Sequence, residues 1–417
     1  MELKRVVVTG LGALTPIGNT VSEYWESLIQ GKSGAATVQQ FDASLFKTHF
    51  ACEVKNFNVE DFIERKEARK LDQFSQYAIV SADEAMADSG LMESNPNVDR
   101  IGVIWGSGIG GLKTFQDEAE NFFTGDGTPK FNPFFIPKMI ADIAAGHISI
   151  KYGLRGPNYV TVSACASATN AIIDAYNYIR LGKADAFVTG GSEAGVNIMG
   201  LGGFNALRAL STRNDSPETA SRPFDLNRDG FVLGEGAGAI ILEEYEHAVK
   251  RGATIYAEIA GGGMAGDAYH MTAPHPDGLG ARNTMIAALE DAEMDPSEID
   301  YINVHGTSTP LGDVAEVKAI THVFGDHAYN MNISSTKSMT GHLLGAAGAI
   351  EAIACILAVK HDIVPPTINH ETPDPEFDPR LNFTFNKAQK RVVNVALSNT
   401  FGFGGHNTSV IVKKFNA

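Results

Sequence analysis

Cysteine is scarce in this chain. Its three cysteines, Cys52, Cys165 and Cys355, are far apart among 417 residues and form no CxxC pair. Neither a disulfide framework nor a zinc site is expected from so few, and a reducing compartment fits better. Positive charge is short as well, since 33 Lys and Arg against 49 Asp and Glu leave a net −16. Nothing would neutralise nucleic-acid phosphates over the whole surface, so no nucleic-acid partner is expected. Long apolar runs are missing. No stretch approaches the ~18 apolar residues of a membrane span, and the run that begins at Val6 is too short for a signal peptide. These absences together point to the cytoplasm.

Two nucleotide motifs each fall one residue short. VVVTGLGAL at 6–14 begins like a dinucleotide turn, but Thr15 stands where a third glycine belongs. A tight strand–helix turn explains the two glycines. GSGIGGLKT at 106–114 resembles a phosphate loop, but Leu112 separates Gly111 from Lys113. Lysine must follow glycine directly for amides and ammonium to meet the same phosphates. No bound nucleotide and no metal is expected.

What remains is an ordinary globular composition, 44% hydrophobic and 20% charged. Its length suits two large domains or one duplicated one. Short β-branched runs at 5–9, 101–105, 159–162, 186–189 and 302–304 alternate with amphipathic segments at 69–89, 168–181, 280–292 and 345–360. That alternation predicts an α/β protein with mostly parallel strands. The chain also repeats itself. NVDRIGVIWGSG at 97–108 matches EIDYINVHGTS at 298–308, and YVTVSACA at 159–166 matches MNISSTKS at 331–338. GFVLGEGAGAIILE at 230–243 matches FGFGGHNTSVIVK at 401–413. Three matches in one order predict a duplicated fold with its seam near 250–254, giving halves 1–252 and 253–417.

Cys165 has the setting of a nucleophile. It follows the strand residues Val160, Thr161 and Val162, sits among small residues, and precedes a long helix. Free amides and the helix dipole there are expected to stabilise a thiolate and lower the thiol pKa. Cys52 and Cys355 read as buried structural residues. Two of twelve histidines, His305 and His342, stand on turns after strands of the second repeat, where function collects in α/β folds. Each could act as base, acid or hydrogen-bond donor. Lys337, in the weakly solvated run STKSMT, could orient a neighbour or stabilise negative charge. Gly402, Phe403, Gly404 and Gly405 could bring a backbone amide beside a reacting carbonyl.

Taken together, VSACAS at 162–167, RPFDLNRDGFVLGEGAG at 222–238, VHGTSTPLG at 304–312, KSMTGHLLGAAG at 337–348 and NTFGFGGHN at 399–407 resemble the signatures of the β-ketoacyl-[acyl-carrier-protein] synthases. The elongating enzymes of bacterial type II fatty acid synthesis are the nearest pattern, and the similarity spans essentially the whole chain. The resemblance implies a duplicated thiolase-like fold of five αβαβα layers, working as a homodimer. It implies that Cys165 takes an acyl group from acyl carrier protein. Malonyl-carrier protein then loses carbon dioxide, and the resulting carbanion attacks the acyl thioester. No cofactor is implied beyond the phosphopantetheine that arrives on the carrier.

By resemblance, His305 and His342 stabilise the enolate, and the amides of Cys165 and Phe403 form the oxyanion hole. Lys337 supports His342, and Glu351 matches an acid of less defined role. Thr307 and Thr309 hold the pantetheine arm, while Phe401 and Phe403 form a gate. Ile109, Phe135 and Phe204 match acyl-pocket positions lined partly across the dimer, with Ile109 governing chain length. The carrier is acidic, so a local basic patch must outweigh the net charge. Arg65, Lys66, Arg69 and Lys70 supply one at i, i+4 spacing on a single helical face, with Lys130 and Arg208 as further docking candidates. Other readings remain beside this one: a polyketide-type ketosynthase, a non-elongating relative, a non-catalytic chain-length partner and a Cys–His hydrolase.

Overall fold

Ten strands carry the molecule in the computed structural model, which describes residues 3–416. They are β1 (Val6–Leu14), β2 (Ile101–Gly106), β3 (Asn158–Thr161), β4 (Ala186–Glu193), β5 (Gly236–Glu244), β6 (Ala257–Gly266), β7 (Tyr301–Asn303), β8 (Asn332–Ser334), β9 (Val395–Gly402) and β10 (His406–Lys414). Their spatial order is β8-β7-β9-β10-β6-β1-β5-β4-β2-β3. Outward from the β6/β1 junction, the two groups of five repeat one order and one set of directions. β1 corresponds to β6, β2 to β7, β3 to β8, β4 to β9 and β5 to β10. The junction itself is slight, since only Val6, Val7 and Val8 pair with Ile259, Glu258 and Ala257.

Strand direction departs from the expectation of a mostly parallel sheet. The pairs β2–β3, β2–β4, β7–β8 and β7–β9 are parallel, while the five pairings between β9 and β4 through the centre are antiparallel. The reason is local in β9–β10, where Gly402 pairs with His406 across a hairpin. So short a connection can join only antiparallel strands.

Helices α1 (Gln73–Ser89), α2 (Leu112–Thr124), α3 (Ser167–Arg180), α4 (Leu279–Ala292), α5 (Pro310–Phe324) and α6 (Ala347–His361) complete the frame. α3 and α6 pack on each other and on strands of both groups, which makes them the middle layer. α1 covers the outer face of the first group, and α4 with α5 covers the second. The result is the five-layered αβαβα thiolase-like fold. Every residue of α6 from Ala347 to Val359 is buried. The segment Leu344–His361 does reach the length and apolarity of a membrane span, contrary to the sequence expectation, but 89% of it is enclosed by protein. Its apolar character belongs to the core.

The near-dinucleotide glycines also fall elsewhere than expected. Gly10 and Gly12 lie inside β1, whose nine residues are all buried, and not in a turn. A Cβ on Gly12 would come 1.9 Å from the Ser81 carbonyl, and one on Gly10 2.3 Å from that of Ala85. Glycine is there so that α1 can lie directly on the strand.

Candidate active site

Cys165 sits in the turn Ala164–Ala166 that joins β3 to α3. The residue before it, Ala164, holds φ at 51°. A side-chain residue pays for that left-handed geometry, and it persists only where surrounding structure enforces it. Here Ser167 enforces it: its Oγ donates to the Ala164 carbonyl at 2.6 Å and accepts from Ser163 N at 3.0 Å. β7 delivers His305, and the segment between β8 and α6 delivers Lys337 and His342.

His342 Nε2 lies 3.0 Å from Cys165 Sγ. The rings of His305 and His342 meet edge to face at 5.2 Å, and Phe401 stands 5.6 Å from His305. Burial drives both imidazoles well below their ordinary pKa, and the nearby Lys337 charge pushes the same way. Both are therefore neutral at physiological pH, each with a single N–H to give. Lys337 is buried behind them and paired with buried Glu351. Burial raises the Glu351 carboxyl to about 7, with Lys337 opposing.

The thiol departs from the expectation of a lowered pKa. Burial pushes Cys165 up to about 12. The Lys337 charge and the backbone N–H groups of Phe403 and Cys165 pull the other way but do not outweigh it. The turn supplies one amide donor at the sulfur, that of Cys165 itself, and the 402–405 loop supplies the other; desolvation dominates both.

A cavity of about 430 Å³ opens over this group. Its lining includes Cys165, His305 and His342, then Thr307, Thr309, Phe401, Phe403, Phe204 and Arg208. Thr307 and Thr309 face each other at 3.1 Å between their hydroxyls. The 402–405 loop is pinned from outside, because Gly404 N donates to the Met271 carbonyl at 2.7 Å and Asp267 N to that of Gly405 at 2.9 Å. Ile109 and Phe135 are not part of this cavity wall. Ile109 lies on the turn after β2 and is 40% exposed. Phe135 stacks with Phe115 and Phe131 on the outer surface near α2.

The basic run does not form the expected helical face. Its helix is only Arg65–Ala68, with no side-chain cap at Glu64, so i, i+4 spacing beyond Ala68 has no meaning there. Arg65 pairs with Glu60 and Lys70 with Glu67. Lys66 and Arg69 are exposed, as are Lys130 and Arg208.

Three site residues escaped the sequence reading. Glu316 on α5 accepts from His305 N at 2.9 Å, Gly306 N at 2.8 Å and Asn399 Nδ2 at 3.2 Å. Phe231 sets its ring edge to face against His342 at 5.3 Å. Glu193, buried at the end of β4, accepts from the 107–110 turn and from Gly345. A lone glutamate closing an apolar strand was the available signal for Glu193. Glu316 offered its position three residues beyond Asp313 on the helix after His305.

Comparison with known proteins gives the family. The family described as Beta-ketoacyl synthase, N-terminal domain, matches residues 3–248, and its C-terminal domain matches 256–371. The chain is a member of the β-ketoacyl synthase family. The synthase is 50% identical over 415 residues to the 3-oxoacyl-[acyl-carrier-protein] synthase 2 of Synechocystis, covering 100% of this chain and 99% of that one. It is 52% identical over 414 residues to the protein of the same name from Staphylococcus aureus strain N315, at 99% of each chain. Among solved structures, a β-ketoacyl synthase from Burkholderia phymatum superposes with a TM-score of 0.92 at 38% identity, over 99% of this chain and 100% of that one. A type II polyketide ketosynthase in complex with its acyl-carrier protein gives 0.90 at 35% identity, over 99% and 100%.

Proposed function

We propose that this synthase elongates fatty acyl chains by decarboxylating condensation. The contact of His342 Nε2 with Cys165 Sγ, beside a second neutral histidine in one cavity, carries the reading. The Cys165 thiol attacks an acyl-carrier thioester and the carrier thiol leaves, so the acyl group is held on Cys165. Malonyl-carrier protein then binds and loses carbon dioxide, which puts negative charge on its thioester oxygen. Neutral His305 and His342 donate hydrogen bonds to that oxygen from fixed positions, so the donors need not reorganise as the charge develops. The carbanion attacks the Cys165 thioester, the amides of Cys165 and Phe403 hold the oxyanion, and 3-oxoacyl-carrier protein leaves. Lys337 and Glu351 tune the histidines from behind. Thr307 and Thr309 hydrogen-bond the pantetheine arm, and Phe401 with Phe403 gates it.

Acyl carrier protein is the partner, docking at Lys66, Arg69, Lys130 and Arg208, with Arg65 and Lys70 at the margin of that patch. The acyl tail runs toward Phe204 and Ile109, with Phe135 contributed across a homodimer. Two features support a dimer. β3 is an edge strand of the sheet, followed by Val162 at 63% exposure. The segment 115–136 exposes Phe115, Phe123, Phe131, Phe134 and Ile136, and an apolar cluster of this kind marks an interaction surface. We place the boundary between the halves at 252/253, and the synthase in the cytoplasm. The relatives at about 50% identity favour fatty acid over polyketide substrates.

Mass spectrometry of the synthase with acyl- and malonyl-carrier protein tests the reading. The expected outcome is 3-oxoacyl-carrier protein and an acyl adduct on Cys165. Cys165→Ala should show neither, while still releasing carbon dioxide. Free fatty acid as the product would indicate a hydrolase.

A further inference from the structure

The duplication leaves a second copy of the nucleophile's turn, and a carboxylate fills it. Leu344–Ala346 stands ahead of α6 as Ala164–Ala166 stands ahead of α3. Both open on a strained residue, Leu344 at φ 50° and Ala164 at φ 51°. Gly345 is therefore the counterpart of Cys165. β4 and β9, each of eight residues, correspond as well and set Glu193 where Gly402 stands. At the reactive turn, a Cβ on Gly402 would come 3.1 Å from Cys165 N. At its counterpart, Gly345 N donates to Glu193 Oε2 at 3.0 Å.

The same carboxylate gathers the turn after β2. Gly108 N donates to Oε2 at 2.7 Å. Ser107 Oγ, Ile109 N and Gly110 N donate to Oε1 at 3.1, 3.2 and 3.3 Å. Successive amides pointing inward make an anion-binding concavity, and here a side chain of the protein occupies it. The turns touch without slack. A Cβ on Gly345 would come 2.2 Å from Gly108 N, and one on Gly108 would come 3.2 Å from the Ala164 carbonyl. Glu193 thus fixes the turn bearing Ile109 against the segments bearing Cys165 and His342.

We infer that Glu193 is a positioning residue that sets the acyl-chain selectivity of the synthase, by holding the turn that bears Ile109 at a fixed place against the segment that bears the nucleophile. The inference rests on the reading of Ile109 as an acyl-pocket residue. Glu193→Gln keeps the shape but turns one acceptor oxygen into a donor. In either orientation its NH₂ then faces two or more of the five donors, and a buried donor without an acceptor moves.

The test measures condensation of hexanoyl- and hexadecanoyl-carrier protein with malonyl-carrier protein, as kcat and KM for the acyl substrate separately, in the wild type, Glu193→Gln, Glu193→Asp and Ile109→Phe, with thermal melting of each. The ratio of kcat/KM between the two chains should shift about tenfold in Glu193→Gln. Glu193→Asp keeps the charge but cannot span both turns, and should shift the ratio in the same direction by less. An unchanged ratio in both folded variants, including a uniform fall in rate for both chains, overturns the inference. Should Glu193→Gln fail to fold, the Asp variant decides alone. Ile109→Phe probes the underlying reading separately. Loss of the long chain first supports that reading; an unchanged profile removes it and, with it, the route from Glu193 through Ile109, whereas an unchanged ratio in the two Glu193 variants overturns the role of Glu193 alone.

Discussion

Two histidines driven to neutrality and a thiol held protonated define the chemistry of single residues here. An imidazole in the ordinary range would gain charge as pH falls through ~6.5. His305 and His342 are depressed by burial and by Lys337, so the protonation that would spoil their donor role comes only in more acid solution. Carbon dioxide release by Cys165→Ala should therefore hold its rate through pH ~6.5 and fall well below it. An acid limb centred on the ordinary histidine value would contradict the burial argument. Cys165 predicts the opposite limb. With its thiol near 12, alkylation by iodoacetamide should rise steadily with pH and show no plateau near neutrality, because the thiolate is the reacting form.

Elements were legible in the sequence to the degree that their cause is local. β2, β4, α3, α4 and α6 all lie within a few residues of where apolar periodicity placed them, and the strand–turn–helix at Cys165 was visible because each part adjoins the next. Strand direction was not, because apolar alternation carries no sign. Glu193 and Glu316 stayed hidden since most of their partners are backbone amides, which nearly every residue has; what selects them is proximity in space, across 85 residues of sequence for Glu193 and Gly108. β1 misled for a related reason. A glycine pair in a turn and a glycine pair beneath a helix read alike until the helix is placed. The packing supplies its own check. Gly12→Ala drives a methyl toward the Ser81 carbonyl, and overpacking of this kind costs about 1–3 kcal/mol. A lowered melting temperature with intact Cys165 acylation is the expected result.

The molecule as a whole carries −16 and yet must receive an acidic carrier. Lys66 and Arg69, exposed and free of ion pairs among the described residues, would have to prevail over that field at close range. Lys66→Glu with Arg69→Glu should raise KM for acyl-carrier protein and leave kcat nearly unchanged, and the wild-type KM should climb with salt as exposed charges are screened over ~8–10 Å. A salt-independent KM would place docking elsewhere. The protonated thiol also divides the proton balance of a turnover. Malonyl carboxylate leaves as carbon dioxide, so one proton is drawn from the medium per cycle. If Cys165 starts as a thiol, its proton passes to the departing carrier thiol, and the first half-reaction is silent to an indicator dye. All of the alkalinisation then belongs to the second half, where the sulfur is released from its thioester and must be protonated again. A resting thiolate would reverse that order, with uptake on acylation and none on condensation.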